Sequence, residues 1–274
     1  MSKPYTLQEL LIITAAREIH DHENVILGVG IPTTAGALAK ALYAPHATLM
    51  MESGIIDFNP LLPLNHIADV HAIRGFKYAT DLFSMFTMTY RGFVDVCFLG
   101  VAQVDRFGNV NTTCIGDYYQ PRKRLPGAGG APDFISYAKR TVLTMMGGEF
   151  VEKLDYFTSP GYLAGGASRD ESGLYPKGSG PKVIISTQGV FRFDEETKEV
   201  YLAQIHPRVR LEDIMKRVPW KLKVAEDLRE TTPPTAEEID FIRRFAPAQA
   251  VGRKLAMELV IRNATSSAKM APEI

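Results

Sequence analysis

Cysteine is scarce in this chain. Cys97 and Cys114 are the only two among 274 residues, and they lack the paired spacing of a zinc site. Free thiols are expected, as in a reducing cytosol, so the reading places the protein in the cytoplasm. An excess of one charge is missing too, since 31 Lys and Arg balance 31 Asp and Glu. That balance argues against nucleic acid or an anionic membrane as the main partner. Apolar runs such as Val96–Ala102 and Val183–Ile185 fall far short of the roughly 20 residues that span a bilayer. The opening Met1-Ser2-Lys3-Pro4-Tyr5 leads into a segment broken by Arg17, Glu18 and His20, so no secretory leader is expected.

Several catalytic patterns are absent as well. No Gly-x-Ser-x-Gly elbow occurs. His20, His22 and His46 lie in polar turns, while His66, His71 and His206 have no paired motif, which removes support for a Ser-His-Asp reading. Gly28-Val29-Gly30 lacks the third glycine and the later acidic partner of a dinucleotide fingerprint.

The length and a 46% hydrophobic composition supply ample material for a core and predict a single α/β domain over 1–274, with a frayed tail from about residue 262. Thr6-Leu7-Gln8-Glu9 fits a capping box, and apolar residues then recur at helical spacing to Ile19. A strand over Val25–Leu27, a glycine-bearing loop, a helix from Ala35 to Tyr43 and a strand over 47–51 make a βαβ unit, which favours a parallel sheet. Further strands are expected at Asp95–Gly100, Thr141–Met146 and Lys182–Ser186. Val190–Phe193 and Glu199–Ala203 are expected to pair about a turn at Asp194-Glu195-Glu196-Thr197. A second capping box, Thr235 with Glu238, opens a helix running to Phe245. The spacing of Phe83, Met85, Phe86, Met88 and Tyr90 suggests core packing. The Gly-, Ala- and Ser-rich stretch 161–180 is expected to be a mobile surface loop. The fold class that follows is an open, mostly parallel α/β sheet flanked by helices, with a hairpin-rich carboxyl-terminal part.

Glu52 stands out from this background. It follows the apolar run 47–51 and precedes Gly54, a strand-to-loop turn at the end of a sheet strand, where open α/β folds hold their ligands. A carboxylate there loses solvation and needs a partner or a chemical role. Gly127-Ala128-Gly129-Gly130-Ala131 is a second site candidate, because glycines let backbone N–H groups approach an anion or oxyanion. Polar residues crowd the turn after Gly100, namely Gln103, Asp105, Asn109 and Asn111. What remains, once histidine and zinc chemistry are set aside, is a carboxylate nucleophile in a glycine-rich crevice.

These segments resemble the beta subunits of family I CoA-transferases, most of all the glutaconate type. The likeness rests on Tyr43-Ala44-Pro45, Glu52-Ser53-Gly54, the run from Ala102-Gln103 to Val110-Asn111, Ile115-Gly116-Asp117-Tyr118, Gly127–Ala131 and Thr158-Ser159-Pro160-Gly161. It implies the CoA-transferase/isomerase-like fold and CoA exchange between an acyl-CoA and a free carboxylic acid, dicarboxylic acids included. By the same resemblance Glu52 is the nucleophile that carries CoA as a thioester. Gly129 and Gly130 are oxyanion donors, Gln103 is a further donor, and Gly28 and Gly30 are CoA-binding. A separate alpha subunit is implied as partner, with CoA as carried substrate and no metal or other cofactor. Val101 stands where the glutaconate pattern has a small residue, and residues 70–92 match poorly. That segment is expected to shape the acyl pocket for an acid less polar than glutaconate. The same fold used for acyl-CoA hydrolysis, ring cleavage or decarboxylation, or as a non-catalytic ligand-binding subunit, is the alternative.

Overall fold

A computed structural model describes residues 4–246 except 61 and 74. The expected tail from about 262 lies outside the described residues. A ten-stranded sheet organises the chain. Its order is Lys223–Glu230, Val200–Ile205, Gly189–Phe193, Pro181–Ser186, Arg140–Met145, Val96–Gly100, Asn24–Leu27, Thr48–Met50, Ile55–Ile56 and Tyr78–Ala79. From Pro181–Ser186 across to Thr48–Met50 every pairing is parallel. Antiparallel hairpins extend the sheet on both flanks. This is the mostly parallel α/β sheet that the sequence predicts.

Alternation along the strands divides the interior into two cores. Val25, Leu27, Leu49, Phe98 and Val142 face a core built with helices Leu7–Ala16, Ile31–Leu42 and Ala236–Phe245. Ile26, Met50, Cys97, Leu99 and Leu143 face the other, under helices Leu82–Tyr90 and Ala131–Tyr137. Leu49, Met50 and Phe98 are almost wholly buried. Each contributes about 1.5–3 kcal/mol and so anchors the strand ends at the site.

Both capping boxes form, and each does a second job. Glu9 accepts from the Thr6 amide and from Arg243 Nε at 2.6 Å, while Glu238 accepts from the Thr235 amide and from Arg17 Nε at 2.9 Å. Each buried cap therefore takes its counter-ion from the other helix, which ties the amino- and carboxyl-terminal helices together.

The structure departs from the sequence expectations in several places. The helix expected from Ala35 begins at Ile31 instead, and a further helix starts at Ala131 directly after the glycine loop. Pro32 and Pro132 sit in their first turns, where a missing N–H costs nothing. Residues Leu82–Tyr90 form a helix of which only part is core: Met85 is buried, whereas Phe83 is 79% exposed. The stretch 161–180 is not simply surface. Arg169 is 2% exposed and donates to the carbonyls of Gly161, Ile135 and Ser136 and to Ser179 Oγ, with its guanidinium 4.1 Å from the Tyr175 ring. A buried cation held through its two terminal nitrogens pins this segment to the helix Ala131–Tyr137, while its Nε has no hydrogen-bond partner.

Candidate active site

Glu52 leaves the carboxyl end of the strand Thr48–Met50 in a tight turn. Met51 N donates to Ile55 O at 2.9 Å and Gly54 N to Met51 O at 3.0 Å. Gly54 has φ +101°, and any Cβ there would run into the carbonyl of Thr80, whose own N–H donates to Gly54 O at 2.8 Å. The turn therefore requires glycine.

The glycine loop arrives from the other end of the chain's first half. A Cβ on Gly130 would stand 3.0 Å from the Glu52 carboxyl carbon and 2.9 Å from Phe86 Cζ, and a Cβ on Gly129 would be 3.6 Å from Glu52 Oε2. Only a residue without a side chain lets the backbone come this close. The Gly130 backbone amide lies close enough to the Glu52 carboxylate to favour its ionised form. Behind the loop, Phe86 stacks on Phe134 at 5.1 Å, and Tyr90 Oη donates to Asp133 at 2.6 Å. The helix Leu82–Tyr90 thus buttresses the loop, a role that its apolar sequence pattern does not disclose.

Glu52 is half-buried. Loss of solvation is the largest influence on its carboxyl and raises its pKa. The nearby Gly130 backbone amide opposes that rise, and the charge of Asp133 reinforces it. Cys97, beneath the carboxylate, is held as a thiol by burial and by the charge of Glu52.

A cavity of about 490 Å³ opens in front of this pair. Its walls come from the carboxyl ends of adjacent parallel strands: Gly28 and Val29, Glu52, Val101, and Met146. Gly127–Gly129 close one side. Among the described residues, Glu52 is the only charged side chain in the lining. A desolvated carboxylate with a glycine backbone close against it, in an otherwise uncharged crevice, is equipped for nucleophilic attack on an acyl carbon.

Residues 9–217 match the family model described as coenzyme A transferase. The chain is 36% identical over 243 residues to one of the subunits of the 3-oxoadipate CoA-transferase of Pseudomonas knackmussii, covering 87% of this chain and 92% of that one. Among solved structures, the glutaconate coenzyme A-transferase of Acidaminococcus fermentans superposes with a TM-score of 0.84 at 31% identity, over 92% of this chain and 99% of that chain. The decarboxylase AibA/AibB superposes at 0.75 and 27% identity, over 91% of this chain and 100% of that one. The chain belongs to the coenzyme A transferase family.

In this coenzyme A transferase the other sequence candidates have different fates. Gly28 lines the cavity, and a Cβ there would lie 3.0 Å from Phe98 O. Gly30 is outside the lining. It caps the helix Ile31–Leu42, with φ +93° and a carbonyl that accepts from Thr33 Oγ1 at 2.9 Å. Gln103 is 2% exposed, and its amide nitrogen donates to Glu149 at 3.0 Å and to Asp155 at 3.1 Å. Its carbonyl oxygen accepts from Asn111 at 2.7 Å. Those bonds commit both amide hydrogens to Glu149 and Asp155, and Gln103 does not line the Glu52 cavity, so the structure does not bring it to the carboxylate. Asp21, His22 and His46 form a cluster with ligand atoms within 4.8 Å. They precede the strands Asn24–Leu27 and Thr48–Met50, at the ends away from Glu52. Among the described residues no helix is long and apolar enough to cross a membrane.

Proposed function

We propose that the chain is the beta subunit of a heteromeric enzyme that moves CoA between an acyl-CoA and a free carboxylic acid through a glutamyl-CoA thioester on Glu52. The observation that carries the reading is the close approach of the Gly129-Gly130 backbone to a carboxylate that is, among the described residues, the one charge lining its cavity. A Glu52 oxygen attacks the thioester carbonyl, and collapse of the tetrahedral oxyanion expels CoA thiolate to leave an acyl-glutamyl anhydride. The thiolate then attacks the Glu52 carboxyl carbon, the C–O bond to the acyl group breaks, and the donor acid leaves as its carboxylate. Attack on Glu52 turns its own carbonyl oxygen into an oxyanion, for which the Gly130 backbone amide is the proposed donor, a role its close approach to the carboxyl carbon supports. One such donor is worth about 3–4 kcal/mol. The acceptor carboxylate reverses both steps, so protons balance and no metal is called on.

The names of the relatives, which describe one part of a multi-subunit transferase or a two-component enzyme, support an alpha subunit as partner. Tyr78, on the strand paired with Ile55–Ile56, and Phe83, on the helix behind the glycine loop, stand more than half exposed, apolar surface that such a partner would cover. The apolar lining supports an acyl group without a second charge held by this chain, leaving any distal carboxylate of the acid to the alpha subunit.

The reading is tested with Glu52→Ala in the co-expressed alpha–beta complex, assayed for CoA transfer over a panel of acyl-CoAs and acids. Transfer is lost while the complex stays assembled. Wild-type-level transfer by the variant would overturn it.

A further inference from the structure

Asp21, His22 and His46 meet at the end of the sheet away from Glu52, and strand register brings them there. Asn24–Leu27 and Thr48–Met50 pair in parallel, with Asn24 opposite Thr48. His22 and His46 each stand two residues before those partners, so the register carries their rings side by side. The ring centroids lie 4.8 Å apart and the planes 3° from parallel, which is the spacing of neighbouring strands. Beside the pair, the Thr48 amide donates to the Glu23 carbonyl at 2.8 Å and ties the two turns together.

Asp21 completes the group. Its Oδ1 accepts from the His46 amide at 2.7 Å, and its Oδ2 lies 2.8 Å from His46 Nδ1 and 3.6 Å from His22 Nε2. His22 takes φ +65°, a left-handed backbone uncommon outside glycine. At that turn two successive side chains, Asp21 and His22, both meet His46. Two imidazoles and a carboxylate are the donor set of a borderline divalent ion. Ligands on a tetrahedron of about 2.0–2.1 Å bonds sit roughly 3.3 Å apart, and the separations of 2.8 and 3.6 Å bracket that value. All three ligand atoms lie within 4.8 Å of one another. The His22 and His46 side chains are exposed, so small rotations close the set. Arg140, the guanidinium of this corner, is already neutralised by both oxygens of Glu23.

We propose that Asp21 Oδ2, His22 Nε2 and His46 Nδ1 form a surface site for a divalent transition ion, zinc above all, that clamps the turns preceding the two strands. Water completes the coordination, and the site takes no part in the chemistry at Glu52. The ion replaces the proton that His46 Nδ1 shares with Asp21, so binding releases that proton and strengthens as pH rises.

The test titrates zinc chloride into the metal-stripped alpha–beta complex, purified without a polyhistidine tag, by calorimetry near neutral pH. Wild type is compared with His22→Ala combined with His46→Ala, and with the milder Asp21→Asn. Wild type binds one more zinc ion per beta chain than the double variant does, and Asp21→Asn weakens that ion's binding about tenfold or more. Saturating zinc also raises the Tm of wild type by mass action, a rise the double variant lacks. Equal zinc stoichiometry and affinity in wild type and the double variant, or a Tm rise that both share, would overturn the assignment. Neither readout depends on turnover, so the site stands or falls apart from the transferase reading.

Discussion

The Gly130 backbone and the Glu52 carboxylate approach so closely that a Cβ on Gly130 would stand 3.0 Å from the carboxyl carbon, and the Gly130 amide favours the ionised carboxylate. The same Cβ would press on Phe134 and Phe86. Gly130→Ala therefore displaces the donor from the carbonyl that becomes an oxyanion. A loss of about 10²- to 10³-fold in kcat is expected, the range for removing one such donor. The check is steady-state kinetics on the assembled alpha–beta complex, with circular dichroism to establish that the fold persists.

Glu52 itself trades stability for reactivity. Burial raises its folded pKa above the unfolded value, so the folded state holds the proton more tightly. The stability cost of ionising it is absent below the unfolded pKa and complete above the folded one. Glu52→Gln removes that cost, so its Tm at pH 7 lies above wild type while transfer is abolished. The wild-type rate falls with decreasing pH along a limb centred above the ordinary carboxylate value. Scanning calorimetry and a pH–rate profile read the two effects separately.

His206 makes the fold acid-sensitive. It is fully buried, with Nε2 2.8 Å from the Ser186 carbonyl and Nδ1 2.8 Å from Thr231 Oγ1, and burial lowers its pKa to about 4. The neutral ring is the folded form, so its contribution is fully present above about pH 6.5 and drains away as pH falls toward 4. The slope approaches about 1.4 kcal/mol per pH unit in that window. Urea titrations between pH 7 and 5 show the slope in wild type and a flatter one in His206→Gln.

Arg169 is a structural cation whose loss strands two carbonyls. Arg169→Met leaves the Gly161 and Ile135 carbonyls without this donor, at about 1–3 kcal/mol each before relaxation, while Ser136 O keeps Ser179 Oγ. A drop in stability of about 3 kcal/mol or more is expected in urea unfolding. Arg169→Lys does not restore it, because an ammonium cannot span the same fan of acceptors.

How much of this was legible in the sequence varied with the range of the interaction. The central strands were plain because they are apolar runs at strand length, and both capping boxes were plain because their partners lie three residues apart. Lys223–Glu230 was missed as a strand, since an edge strand of alternating charge carries no apolar pattern. The helix Leu82–Tyr90 was missed because it is apolar on its exposed as well as its buried face, which blurs the helical period. Glu52 and the Gly127–Ala131 loop could each be picked out, but their contact spans distant segments and only the fold reveals it. Gln103 looked available as a donor, and nothing in its local sequence announces Glu149 and Asp155 as its partners.

The central claim is a covalent CoA thioester on Glu52. Mass spectrometry of the co-expressed alpha–beta complex, exposed to a panel of acyl-CoAs without acceptor acid, tests it most directly. The account predicts a CoA adduct on the peptide bearing Glu52, absent in Glu52→Ala and discharged when an acceptor acid is added. Steady release of free CoA with no adduct on that peptide would contradict it and point to hydrolysis.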